Sequence, residues 1–152
     1  MKKQINFMIN EEEADKKVEE GFFRAWIAFD ALAINENASK SALEGLILKL
    51  DRDERIKIYK KTFGDAKKIE KPLKNIDVGY SVTCELNLIS KNLSNLAQIA
   101  IEYGPSAIEI LEPEKFNLSA GEAQSILNSI SHMMHMIAAG GAGGIVVMKG
   151  EE

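Results

Sequence analysis

The chain has 152 residues, enough for one domain with additions, and its hydrophobic (45%) and charged (28%) fractions are close to the soluble globular average. One cysteine, Cys84, excludes a disulfide framework and a zinc site built from several cysteines. The net charge of −4 argues against a nucleic-acid or anionic-membrane surface, and no apolar run reaches the roughly 18 residues of a membrane span. Because the N-terminus turns acidic after a short apolar stretch, we expect no signal peptide and a cytoplasmic location.

The first 20 residues are predicted to form an N-terminal extension, and residues 21–152 one domain that ends in a glycine-rich tail. Ile5, Phe7 and Ile9 alternate with the residues between them, which predicts a short strand. The charged segment that follows leaves two alternatives open, a helical turn or a solvated linker.

The first core strand is predicted between residues 22 and 34. Phe23, Ile27 and Phe29 fall on one face at period two, whereas Arg24 and Asp30 fall on the other. The alternative is a helix that continues from the charged extension, because some aromatic residues also fit a period of 3.6. The aromatic content and the alternation favour the strand.

The remaining elements follow from apolar periodicity, helix caps and turn residues. We predict a helix over 35–53, an edge strand over 54–63, a long polar connection over 64–79, a strand over 79–90, a helix over 91–105 and a strand over 106–116. A capping box, Ser119 with Glu122, opens a third helix that runs to about residue 139. Its predicted core stripe is Ala123, Ile126, Leu127, Ile130, Met134 and Ile137.

This order of elements predicts an α+β fold. It corresponds to a ferredoxin-like βαββαβ sandwich with an added C-terminal helix and short terminal strands, the last of them at 145–148. The same fold serves enzymes, RNA binders, metal carriers and ligand sensors, so the fold alone does not name a function.

The segments AIEYGPSAIEILEPEKF and GEAQSILNSISHMMH, together with FRAWIAFDALAI near the start, resemble an uncharacterised archaeal family. The resemblance covers residues 23–148, and YGPSAIEILEP is its most specific piece. It implies no activity and supplies no functional residues.

Charged side chains define one candidate ligand site. In the predicted sheet Arg24, Asp30, Glu85 and Glu109 share the face that is not covered by helices. An ion-pair network is the simpler interpretation of such a cluster. A small-molecule site on this face is the alternative.

His132 and His135 lie three residues apart on the third helix among methionines, a pattern compatible with a soft metal. A full ligand set is missing, so we predict no metal site and no cofactor. Cys84 is predicted to be buried and inert. RNA-binding proteins of this fold stack bases on aromatic residues of the central strands, and the open face of the third strand has none, so we expect no nucleic-acid partner.

The functional prediction rests on apolar surface near the C-terminus. Met133, Met136, Ile145, Val146 and Val147 lie off the predicted core stripe and are predicted to form an interface. We therefore expect a binding or regulatory module that forms a homo-oligomer, with a small molecule or another protein as a further partner. An enzyme is not supported by any motif, and the alternative is a small enzyme or ligand-binding protein that uses the charged face. A monomer is expected instead if the tail folds back on its own N-terminal segment.

Overall fold

The computed structural model describes residues 7–140, and they form an α+β fold with four helices and five strands. The helices are α1 (Glu11–Glu19), α2 (Glu36–Asp51), α3 (Leu93–Tyr103) and α4 (Ala120–Ala138). The strands are β1 (Phe23–Ala33), β2 (Ile56–Phe63), β3 (Lys67–Leu73), β4 (Ile76–Ser90) and β5 (Ala107–Glu112). No helix among these residues is long and apolar enough to cross a membrane.

All the strands belong to one antiparallel sheet. Its main path has the order β2-β4-β1-β5, and β3 pairs with the first half of β4. Strand β4 is 15 residues long and pairs with three other strands, so it is the centre of the sheet. The finding confirms an α+β protein built on an antiparallel sheet.

The predicted strand near the start is confirmed, and the helical alternative for residues 23–33 is wrong. Phe23, Ile27 and Phe29 are buried in the core, and β1 has hydrogen-bonded neighbours on both sides. Pairing on both sides provides hydrogen-bond partners for the backbone N–H and C=O groups of this segment. Its β-branched and aromatic side chains pack well on a pleated surface.

Helices α2 and α3 cover one face of the sheet. Leu43, Ile47 and Leu50 of α2 and Leu96 and Ile99 of α3 are almost completely buried. Each helix begins with an asparagine cap, Asn35 and Asn92 respectively, whose side chain accepts a hydrogen bond from the backbone three residues later.

Cys84 lies in the core, as the sequence predicted. Its side chain is fully covered, and burial raises the pKa of the thiol to about 11. Because the thiolate is the reactive form, this cysteine behaves as a small hydrophobic residue.

The prediction of a polar connection over 64–79 is wrong, because this stretch contains β3 and the start of β4. None of the seven residues of β3 is buried, so the strand lacks the apolar alternation by which a strand is recognised. Main-chain pairing with β4 holds it in place instead.

The N-terminal extension contains α1, so the helical alternative for the charged segment is confirmed. Residues 7–10 are not a strand, and Asn10 caps α1 instead. Ala14 is fully buried against the sheet on the face that carries Arg24.

The prediction of a core stripe on α4 is wrong. Helix α4 packs on α3 and has no buried residue. Leu127, Ile130 and Met134 are 65%, 47% and 60% exposed. The serine cap of the helix is confirmed, since Ser119 Oγ accepts a hydrogen bond of 3.1 Å from the Glu122 amide.

Candidate functional site

The open face of the sheet brings the predicted charged residues onto one surface but uses Arg24 for packing. Its guanidinium donates to Glu112 Oε1 at 3.0 Å, to the Tyr59 hydroxyl at 2.7 Å and to Asp15 of α1. Arg24 is only 8% exposed. The sequence placed Arg24 among acidic residues but did not identify Asp15 or Tyr59, because the position of α1 over the sheet could not be predicted from the pattern of β1.

The acidic residues of this face make separate contacts. Glu85 accepts a hydrogen bond of 3.0 Å from the indole nitrogen of Trp26, and the Thr83 hydroxyl donates to Asp30. Glu109 lies opposite Trp26 in the β1–β5 register and is exposed. The face therefore presents carboxylates around one indole ring, beside an arginine that already has two carboxylate partners.

A groove of about 940 Å³ lies between α3 and α4. Helix α3 contributes Gln98, Ile101 and Glu102, and α4 contributes a face that extends from Gly121 to Met136. The helices touch across its floor through the hydroxyls of Ser94 and Ser125, 3.2 Å apart. A mixture of amides, hydroxyls and apolar side chains in a cleft of this size is typical of a small-molecule site.

Two methionines that the sequence assigned to a self-association interface lie in this groove. Met133 and Met136 are half-buried and face α3, together with His132. His135 lies outside the groove and is exposed. In residues 7–140 no three His, Cys, Asp or Glu side chains lie close enough together to hold a metal ion.

One side of the groove is held by a charged cluster around Arg55. Its guanidinium donates to both carboxylate oxygens of Asp53 and to both of Glu102, at 2.6–2.9 Å. The hydrogen bonds from Arg55 lower the pKa of Asp53 to about 2 and also lower the pKa of Glu102. Burial, followed by the hydrogen bond to Asp53, raises the pKa of Tyr103. This cluster fixes α3 against the turn between α2 and β2.

The opposite side of α4 is an exposed apolar surface, which we call the α4 stripe: Leu127, Ile130 and Met134. Spacings of three and four residues put all three on one side of the helix. In its 19 residues α4 carries one carboxylate, Glu122, and neither lysine nor arginine. Few charges and a continuous apolar stripe are typical of the centre of a protein interface.

Comparisons with known proteins agree with the resemblance to an archaeal family. The MJ0538 family model matches residues 24–149. The "Uncharacterized protein MJ0538" of Methanocaldococcus jannaschii is 32% identical over 127 residues, which are 82% of this chain and 43% of that relative. This chain therefore spans less than half the length of that relative. No solved structure matches this chain. On the breadth of the family match, this chain belongs to the MJ0538 family.

Proposed function

We propose that this protein is a binding or regulatory module that self-associates through α4 and the tail that follows it. The observation that carries the proposal is the exposure of the α4 stripe. Full burial of a Leu, Ile or Met side chain is worth about 1.5–3 kcal/mol, and these three are roughly half exposed. An isolated helix is also marginal in water, and among residues 7–140 the main contact of α4 is with α3, so a covering partner stabilises it substantially.

A second copy of the chain suits this stripe. Leu127 and Met134 lie three residues before and four residues after Ile130. An antiparallel, twofold contact between two α4 helices therefore sets Leu127 of each copy against Met134 of the other, with the two Ile130 side chains near the axis. Such self-complementary contacts are the commonest form of homo-oligomer. The near absence of charge on α4 removes like-charge repulsion across the axis.

Sedimentation velocity at about 10–100 μM tests the proposal. We expect a dimer for the full chain and a monomer for Leu127→Glu, because a buried carboxylate without a partner is costly. Leu48→Glu on α2 is the matched control, since Leu48 is 40% exposed and far from α4 in sequence, and it should remain dimeric. A monomeric full chain contradicts the proposal, as does a dimer that survives Leu127→Glu.

The tail residues Ile145, Val146 and Val147 are part of the same proposal, although they lie outside the described residues. A chain truncated after residue 139 separates the contribution of the tail from that of α4. A dimer that weakens on truncation assigns part of the interface to the tail. An unchanged dimer assigns the interface to the helix alone.

The α3–α4 groove supports the binding part of the proposal, because its volume and mixed lining fit a small molecule. The alternative is a small enzyme or ligand-binding protein that uses the charged open face. The exposure of Glu109 beside Trp26 and Glu85 favours it. Ligand screening by thermal shift with Met133→Gln and Glu109→Gln variants separates the two sites, because only the variant at the true site should lose the shift.

We also propose that the sheet is a ferredoxin-like arrangement in which β3 is an insertion. If β3 is left aside, α2 connects β1 to β2, α3 connects β4 to β5, and the spatial order is β2-β4-β1-β5 with antiparallel neighbours. This matches two split βαβ units. An experimental structure that lacks the β1–β5 pairing would contradict it.

A further inference from the structure

Strand β3 and the start of β4 form a two-stranded ribbon that extends past the end of β1. The last residue of β1, Ala33, pairs with Tyr80, whereas β3 pairs with β4 as far out as Ile76. The ribbon is anchored at its base, where Gly79 packs so closely under Leu32 and Pro72 that an added methyl group would lie 2.9 and 3.0 Å from their side chains. Beyond this base, no residue of β3 is buried.

Positive charge is concentrated on this ribbon and on the neighbouring strand β2. Residues 56–79, which include β2, β3 and the start of β4, contain seven lysines and three carboxylates, a formal charge of +4. The other residues contain 12 basic and 20 acidic side chains, a formal charge of −8. The net charge of the chain therefore hides a strong separation of charge.

The lysines of this surface are available to an external partner. Six of the seven are exposed, and Lys61 is half-buried. Within residues 7–140, none of the seven takes part in an ion pair, although other lysines, such as Lys17, do. Lysines also protect the edge of a sheet from unwanted pairing. Seven unpaired lysines on adjoining strands repel one another, so an anionic partner would stabilise this surface.

We propose that the ribbon and β2 form a binding surface for the phosphate backbone of duplex nucleic acid. A two-stranded ribbon has the width that the major groove of B-DNA admits. Lysine ammonium groups bind phosphates as point charges, and a surface whose basic side chains are all lysines suits contacts that do not depend on base sequence. The open face of the sheet, where the predicted third strand has no aromatic residue for base stacking, carries Asp30, Glu85 and Glu109, which repel phosphates. The ribbon is a different surface.

Fluorescence anisotropy with the full chain and a labelled 20-base-pair DNA duplex tests this proposal. We expect binding at 50 mM salt that weakens steeply by 200 mM, with a slope of log K against log salt of about −3 to −5 for four to five neutralised phosphates. The variant Lys67→Glu/Lys68→Glu/Lys71→Glu should weaken binding at least tenfold and make the slope shallower by about 3. The neutral variant with glutamine at the same three positions should give an intermediate loss.

The control variant changes the net charge equally elsewhere. Lys49→Glu/Lys91→Glu/Lys115→Glu alters three exposed lysines outside the ribbon and should retain most of the affinity. If both triple variants lose the same affinity for the duplex, binding depends only on net charge and the proposal is overturned. The absence of binding at 50 mM salt would also overturn it. Binding to vesicles of anionic phospholipid without binding to the duplex would also overturn it. The same measurement with an RNA duplex shows whether the phosphate contacts distinguish the geometry of a DNA duplex from that of an RNA duplex.

Discussion

Two arginines, Arg24 and Arg55, each join segments that are distant in sequence. Arg24 connects α1 to β5, with Glu112 lying 88 residues away, and Arg55 connects the turn before β2 to the end of α3. A planar guanidinium can serve two carboxylates at once, which a lysine ammonium does less well. The sequence placed Arg24 on the open face of the sheet and gave no prediction for Arg55, since the partners of both come from elements whose packing no local pattern reveals.

We predict that Asp53 contributes to the free energy of unfolding and that this contribution is lost in acid. Its pKa falls from 3.8 to about 2 on folding, so the folded state binds the proton less well than the unfolded state. The stabilisation is therefore complete above about pH 4 and is lost as the pH falls through 2, by roughly 1–2 kcal/mol once solvent screening is considered. Urea unfolding at pH 6 and pH 2.5 should show that Asp53→Asn removes this part of the pH dependence.

Asp65→Asn provides the control for this experiment, because Asp65 is an exposed residue outside the Arg55 cluster. Its pH dependence should equal that of the unmodified chain. A pH profile of Asp53→Asn that overlays the unmodified profile would show that the Arg55 cluster does not contribute to acid stability.

The elements differ in how far their sequences reveal them. The second half of β4 buries alternate side chains, and β1 has large apolar side chains at Phe23, Ile27 and Phe29 of one face, so a period of two is visible in both. Strand β3 buries none, and Pro72 interrupts it, so only its pairing with β4 identifies it. The apolar period of α4 identified the helix but not its neighbour, because an apolar stripe has the same spacing whether the chain itself or a second copy covers it. The sequence predicted that the charged residues of the open face share one surface. It did not predict the groove between α3 and α4.

Gly79, at the base of the ribbon, is a position where an added methyl group should destabilise the fold. Gly79→Ala should destabilise the protein by about 1 kcal/mol, because its methyl group crowds Leu32 and the ring of Pro72. Leu32→Ala should relieve most of this cost in the double variant, and thermal unfolding of the four proteins measures the coupling. Gly64→Ala, whose methyl group would make an ordinary 3.6 Å contact, should change stability by less. Strict additivity of the two substitutions would show that the close approach is not strained.

The whole molecule presents two unlike surfaces, the α4 stripe with almost no charge and the lysine-rich ribbon. If the stripe is a dimer contact, folding and association are coupled, and stability depends on protein concentration. We predict that a 100-fold rise in concentration raises Tm by about 3–5 °C, since it favours the dimer by about 2.7 kcal/mol, which the two chains share. Differential scanning calorimetry of the full chain and of Leu127→Glu measures this, and only the full chain should respond. If the Tm of the full chain does not change with concentration, the α4 stripe is not a dimer contact.

The pairing of β1 with β5 has a consequence for biosynthesis. Strand β1 leaves the ribosome before both of its neighbours, and of these β4 is made first and β5 only after a further helix, α3. Until residues 107–112 have been synthesised, the nascent chain exposes the hydrogen-bonding edge of its central hydrophobic strand, where Ile27 becomes fully buried. Exposed edges of this kind recruit other chains. Incomplete chains that end before β5 are therefore the form of this protein most prone to aggregate.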